Sequence, residues 1–193
     1  MKLKTKDFVS LALYTALFAA VSMIGMMLSS MAGNYGHAIS PGFMYLIGGP
    51  VIFFVAHKVG KMWQFTIMTL LMCGVYTIMG AAYLPWFITM LIGSVIADLM
   101  VSKTNKPSNL KLAIANGIMA VGCALGSIIP AMFFAEQFKQ DWIERGQTAE
   151  YMEETIRVCT GTMGYLATLI VFVLGFVGIY LGYILLKKHL KLD

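Results

Sequence analysis

Charge is what this chain has least of. Only 12% of its 193 residues are Asp, Glu, Lys or Arg, while 59% are hydrophobic and the mean hydropathy is +0.79. A soluble domain carries roughly 25% charged residues, so too few polar groups remain to cover a surface facing water. That shortage excludes a disordered chain, a disulfide scaffold and a nucleic-acid-binding domain, and it makes a bilayer the expected solvent. The functional motifs that are missing narrow the field further. No Gly-rich loop is followed by Lys and Ser or Thr, so the chain has no means of driving work with ATP by itself. No His-Glu-x-x-His motif, nucleophile elbow or pair of buried carboxylates is present, so no enzyme is expected. The three cysteines (Cys73, Cys123, Cys159) and three histidines (His37, His57, His189) show no metal-ligand spacing, and neither a metal nor a cofactor is expected.

The few charges that exist divide the chain. Asp7 and Lys58 enclose 50 residues without Asp, Glu, Lys or Arg; Lys61 and Asp98 enclose 36, Lys111 and Glu136 enclose 24, and Arg157 and Lys187 enclose 29. A membrane-spanning helix needs roughly 17–25 mostly apolar residues. The first two runs therefore hold two spans each, broken at Gly33-Asn34-Tyr35-Gly36-His37 before Ser40-Pro41-Gly42 and at Gly80 to Trp86, and the last two hold one each. The expected fold is an all-α integral membrane protein, a single domain over 1–193 with spans near 8–30, 41–59, 62–79, 85–101, 112–135 and 159–186 and an outer loop at 136–157.

Six spans put both termini on one side. That side would hold Lys2, Lys4, Lys6, Lys58, Lys61, Lys103, Lys106, Lys111, Lys187, Lys188 and Lys191, 11 of the 14 basic residues. The opposite side would hold Lys139, Arg145 and Arg157 among six acids. Positively charged loops stay in the cytoplasm, so both termini of a multi-pass membrane protein are expected there. Lys2, Lys4 and Lys6 before an apolar stretch and Ser30-Met31-Ala32 have the outline of a signal peptide. The stretch exceeds 20 residues, however, against the roughly 7–15 of a signal core, so a retained span is expected. Asp98, near the cytoplasmic end of the fourth span, is expected to snorkel or to pair at the interface.

Two positive features remain. Ala12, Ala16 and Ala20 lie four apart, on one helix face, and make a flat groove of the kind by which helices approach in lipid. Gly122/Gly126 and Gly178/Gly182 repeat that spacing, with packing inside the bundle as the expected use. The second feature is the outer surface. Phe134, Phe138 and Trp142 fall at i, i+4, i+8, as if the fifth span continued outward as a helix. Gly146 would end it, and Thr148 would cap a second short helix through Arg157. Asn34, Tyr35, His37, Tyr83, Trp86, Trp142, Thr160 and Tyr165 are the candidates for lining a small-molecule pocket at this end. The aromatics suit an interfacial belt as well, and the sequence leaves both roles open.

In layout, and in the Ala12-x-x-x-Ala16-x-x-x-Ala20 stripe of the first span, the chain resembles the substrate-binding S component of energy-coupling-factor (ECF) transporters. Ile47-Gly-Gly-Pro-Val-Ile52 followed by Ala56-His-Lys-Val-Gly-Lys61 resembles, more narrowly, the Trep_Strep group. The resemblance implies a subunit that captures a vitamin, cofactor precursor or similar micronutrient from outside. It further implies docking through Ala12, Ala16 and Ala20 on a transmembrane coupling subunit driven by two ABC-type ATPase subunits. No substrate-specific signature is matched. A membrane scaffold or regulator acting through small-residue faces is the alternative, followed by a stand-alone facilitator and a lipid-modifying enzyme.

Overall fold

A computed structural model describes residues 3–33, 35–101 and 107–190. Its helices are α1 (Thr5–Ser30), α2 (Tyr35–Lys58), α3 (Gln64–Ile78), α4 (Leu84–Val101), α5 (Asn109–Phe133), α6 (Ala135–Ile143), α7 (Ala149–Cys159) and α8 (Gly161–Leu186). Among the described residues there is no strand. Five helices, α1, α2, α4, α5 and α8, are long and apolar enough to cross a membrane. The sixth apolar helix, α3, has 15 residues, about 22 Å at 1.5 Å per residue.

The interior is built on two helices. In α2 and α5, 67% of the most apolar stretch is buried, against 28–33% in α1, α4 and α8. α2 packs on α1, α5 and α8, α5 packs on α4 and α8, and α3 lies at the side against α1 and α4. Helices in lipid are held by close packing and polar cross-links, since their apolar side chains are no better off together than in the bilayer. Both devices are present. A Cβ on Gly49 of α2 would lie 2.3 Å from the carbonyl carbon of Gly178 of α8, so only glycine admits this crossing. Gly122 and Gly126 likewise meet Thr89, Gly93 and Trp86 of α4, and Gly182 meets Pro50 and Phe53 of α2, so the glycine pairs pack within the bundle. Asn116 of α5 is fully buried, and its Nδ2 donates to the backbone oxygens of Tyr45 on α2 (3.2 Å) and Gly175 on α8 (2.6 Å).

Three local expectations are corrected. α2 begins at Tyr35, and Pro41 lies inside it instead of opening it. Phe134 interrupts the helix at φ −139° and ψ 41°, so α6 is a separate helix and Phe134 stands exposed, off the face shared by Phe138 and Trp142. Asp98 does not snorkel. It is fully buried and accepts from Phe65 N (3.2 Å), Thr66 N (2.8 Å) and Thr66 Oγ1 (2.7 Å). It thus satisfies the free donors at the start of α3 that α3 itself leaves open. Trp63, just before them, takes the left-handed conformation at φ 71°. At the same end of the bundle Asp7 of α1 accepts from the ammonium of Lys61 in the α2–α3 connection (2.5 Å).

The opposite end is covered by α6 and α7. Gly146, at φ +96°, ends the turn after α6, and the Thr148 side chain accepts from Tyr151 N to start α7. Met152, Thr155, Val158 and Cys159 turn the buried face of α7 inward. Lys139 of α6 joins Glu153 of α7 (2.5 Å). The Arg145 guanidinium donates to the Ala82 carbonyl (2.5 Å) and so ties the end of α6 to the α3–α4 connection.

Candidate ligand pocket

Beneath α6 and α7 the upper parts of α1, α2, α4 and α5 do not close on one another. They leave a cavity of ≈ 140 Å³ walled by Met26 of α1; His37, Ala38, Ser40, Pro41 and Met44 of α2; Trp86 of α4; Cys123, Ala124, Ser127 and Ile128 of α5; and Cys159 of α7. A smaller one of ≈ 50 Å³ lies directly under the cap, between His37, Phe138, Trp142, Gln147, Tyr151, Met152 and Thr155. His37 belongs to both. Its side chain remains exposed. Its Nδ1 is 3.2 Å from the Tyr151 hydroxyl, with the two rings edge to face at 6.1 Å.

Local sequence explains the gap. Pro41 has no N–H to give the His37 carbonyl four residues earlier, and both residues line the larger cavity. Trp86 follows Pro85 in the first turn of α4. Its Nε1 donates to the Cys123 carbonyl (2.9 Å) and approaches the Cys123 sulfur (3.3 Å), and its ring lies 4.7 Å from that of Tyr76. The indole is therefore fixed as a wall and not free to swing.

The eight sequence candidates separate into groups. His37 and Trp86 line the larger cavity, and His37 and Trp142 the smaller. Tyr83 is buried on the far side of α6, its ring 6.0 Å from Phe138 and 5.7 Å from Trp142, in a surface groove with Asp141 and Arg145. Burial raises the Tyr83 phenol above its ordinary pKa, the Asp141 carboxylate adds to this, and the Arg145 guanidinium opposes it. Tyr35 donates its hydroxyl to the Met163 carbonyl (3.1 Å), pinning the start of α2 to α8. Thr160 precedes α8, with its hydroxyl 3.5 Å from the Arg157 carbonyl. Tyr165 is 72% exposed on α8 and lines neither cavity. Asn34 lies outside the described residues. Sequence reasoning did not single out Ser40, Ser127, Met26, Met44, Cys123 and Cys159 as pocket residues, because only the packing of four helices brings them together.

A model of a family described as hypothetical bacterial integral membrane proteins (Trep_Strep) matches residues 5–191. The chain belongs to that family. No curated protein and no solved structure matches it. For a Trep_Strep protein, multi-pass residence in a bacterial membrane follows from the family description together with the apolar helices. Within that frame the alanine stripe is placed clearly. Ala12, Ala16 and Ala20 all stand on the exposed face of α1, while Leu11, Thr15, Phe18 and Ser22 form its buried face.

Proposed function

We propose that this protein is the substrate-capture subunit of an ATP-driven, ECF-type importer. It takes up a small molecule in the ≈ 140 Å³ cavity under α6 and α7 and delivers it inward when docked on a transmembrane coupling subunit served by two ABC-type ATPases. In this reading α3 is a sixth, short crossing that a locally thinned bilayer accommodates. Both termini are cytoplasmic, and the α6–α7 cap faces outward. The charge distribution supports that orientation: among described residues Lys4, Lys6, Lys58, Lys61, Lys111, Lys187 and Lys188 flank one set of helix ends, and six acids lie in the loop between α5 and α8. The protein itself performs no chemistry.

The observation that carries the reading is the walled cavity placed immediately beneath a two-helix cap, with one side chain, His37, reaching both the cavity and the space under the cap. The outward-facing alanines of α1 supply the flat surface by which a partner helix comes close. The test is to purify the protein from its native membranes, denature it, and identify released small molecules by mass spectrometry. A stoichiometric compound, together with co-purification of a coupling subunit and ATPases, is the expected result. A protein that is empty and gains no thermal stability from any compound supplied overturns it. That outcome would favour a membrane scaffold, for which the unpartnered face of α1 is the relevant observation.

A further inference from the structure

Most described serines of this protein engage the backbone of their own helix. Ser10, Ser22, Ser29, Ser30 and Ser94 each donate a hydroxyl to a backbone carbonyl three or four residues earlier, and Ser108 accepts from Lys111 N. Such back-bonding is how a helix in lipid disposes of a hydroxyl. Among the described serines only Ser40 and Ser127 have side chains that make no hydrogen bond within the protein, and both face the ≈ 140 Å³ cavity. They come from different helices, α2 and α5, so two unused hydroxyls converge on one space. Both residues are half-buried, and hydroxyls left without a protein partner on a cavity wall are free to receive a ligand's polar groups.

The remaining wall defines what lies between them. Trp86 presents an immobilised ring, and Met26 and Met44 present thioethers, side chains that favour an aromatic neighbour. No Asp, Glu, Lys or Arg lines the cavity, and the His37 ring in its wall has Nδ1 engaged with the Tyr151 hydroxyl, so an ionised group brought into it would lose its water without meeting a fixed counter-charge. The size is also restrictive, since an apolar cavity of roughly 150 Å³ is known to accommodate benzene.

We infer that the cavity receives an uncharged, planar ring compound about the size of a substituted benzene, its ring edge hydrogen-bonded by Ser40 and Ser127. This inference rests on the capture reading above and specifies its ligand class.

Three probes matched in size separate the claims: benzamide, which is planar and neutral; benzoate, which is planar and anionic; and cyclohexanecarboxamide, which is neutral and puckered. Binding of radiolabelled benzamide to the full chain in nanodiscs, with the other two as competitors, is the measurement. Benzamide is expected to bind saturably at one site, with each competitor at least about tenfold weaker. Ser40→Ala and Ser127→Ala, singly and together, should weaken benzamide, the double variant by about tenfold, with the thermal melt of each variant unchanged. Benzoate binding as tightly as benzamide overturns the exclusion of charge, and equal binding of cyclohexanecarboxamide overturns the planar ring. Absence of benzamide binding, or binding indifferent to both serines, overturns the site. The capture reading fails separately, by an empty native preparation; a charged or bulky compound released from that preparation would keep the capture reading and end this inference.

Discussion

Asp98 shows how a single side chain holds an element in place. Its carboxylate takes both backbone donors and the threonine hydroxyl at the start of α3, a helix that touches the rest of the bundle along one side only. Removing it leaves two N–H groups unpaired in a dry setting, each costing on the order of 1–3 kcal/mol, partly recovered by water at the helix end. Asp98→Ala is therefore expected to destabilise the protein by about 2 kcal/mol. Asp98→Asn, whose amide oxygen still accepts, should cost less. Equilibrium unfolding in SDS–detergent mixtures measures both, and an Asp98→Ala melt equal to the wild type would show that the cap is unimportant. Asn116 gives a second case. Its amide cross-links α2, α5 and α8, and hydrogen bonds inside membrane proteins contribute about 0.6 kcal/mol on average and up to about 1.7. Asn116→Ala should cost about 1 kcal/mol in the same assay, and no loss would mean the backbone oxygens find other donors. The charge of Asp98 was visible in the sequence, but its partner was not, because that partner lies 33 residues away and depends on where α3 packs. Ser40 was read as part of a turn signal with Pro41 and Gly42. Its unused hydroxyl becomes apparent only when its neighbours are placed.

At the scale of whole helices the charge-free runs were sufficient. Each expected span coincides with an apolar helix whose ends differ by a few residues; five of these are long and apolar enough to cross a membrane, and α3 is shorter. The exceptions are instructive. Gly33 to Ser40 contains good turn formers, yet α2 starts at Tyr35, where the Tyr35 hydroxyl bonds Met163 and His37 meets Tyr151. Tertiary contacts extended the helix beyond its local preference. Phe134 has no sequence feature that marks it as a break, and the break lets Phe138 turn into the interior under Tyr83. Glycine spacing was legible, and the structure assigns each glycine its neighbour. Gly49→Ala would push a methyl group into the Gly178 backbone, which only a shift of α2 against α8 relieves, so a loss of about 3 kcal/mol is expected. Gly74→Ala on α3 meets nothing within 4 Å. It should be neutral or stabilise by up to about 1 kcal/mol through helix propensity. Parallel melts of the two variants decide the matter, since similar losses for both would mean that close approach at the α2–α8 crossing is not what they report.

For the molecule as a whole, the unequal burial of its helices is the property that connects fold to function. α2 and α5 are mostly buried, whereas α1 is buried along one stripe and bare along the other. On the bare side Leu13 and Leu17 are exposed at 67% and 49%, and the alanines between them keep that surface low. The pattern of alanines was plain in the sequence. Which way it faced was not, because small-residue spacing serves packing within a bundle and docking outside it equally well. Facing outward, it gives a prediction that separates folding from assembly. Ala12→Phe with Ala16→Phe adds bulk on a face exposed among the described residues, so the isolated protein should melt within about 0.5 kcal/mol of the wild type and should retain any bound compound. A helix that approaches through the groove, however, would be held off by two rings, and co-purification of the proposed coupling subunit and ATPases should be lost. Leu11→Ala, on the buried stripe, should do the reverse: it should cost about 2–5 kcal/mol while leaving the outer face, and therefore docking of the folded fraction, unchanged. Co-expression of each variant with the coupling module, followed by affinity capture and a melt of the free protein, distinguishes the two effects. If the doubly substituted protein still captures the module at the wild-type level, the bare face of α1 is lipid-facing surface and the partner binds elsewhere.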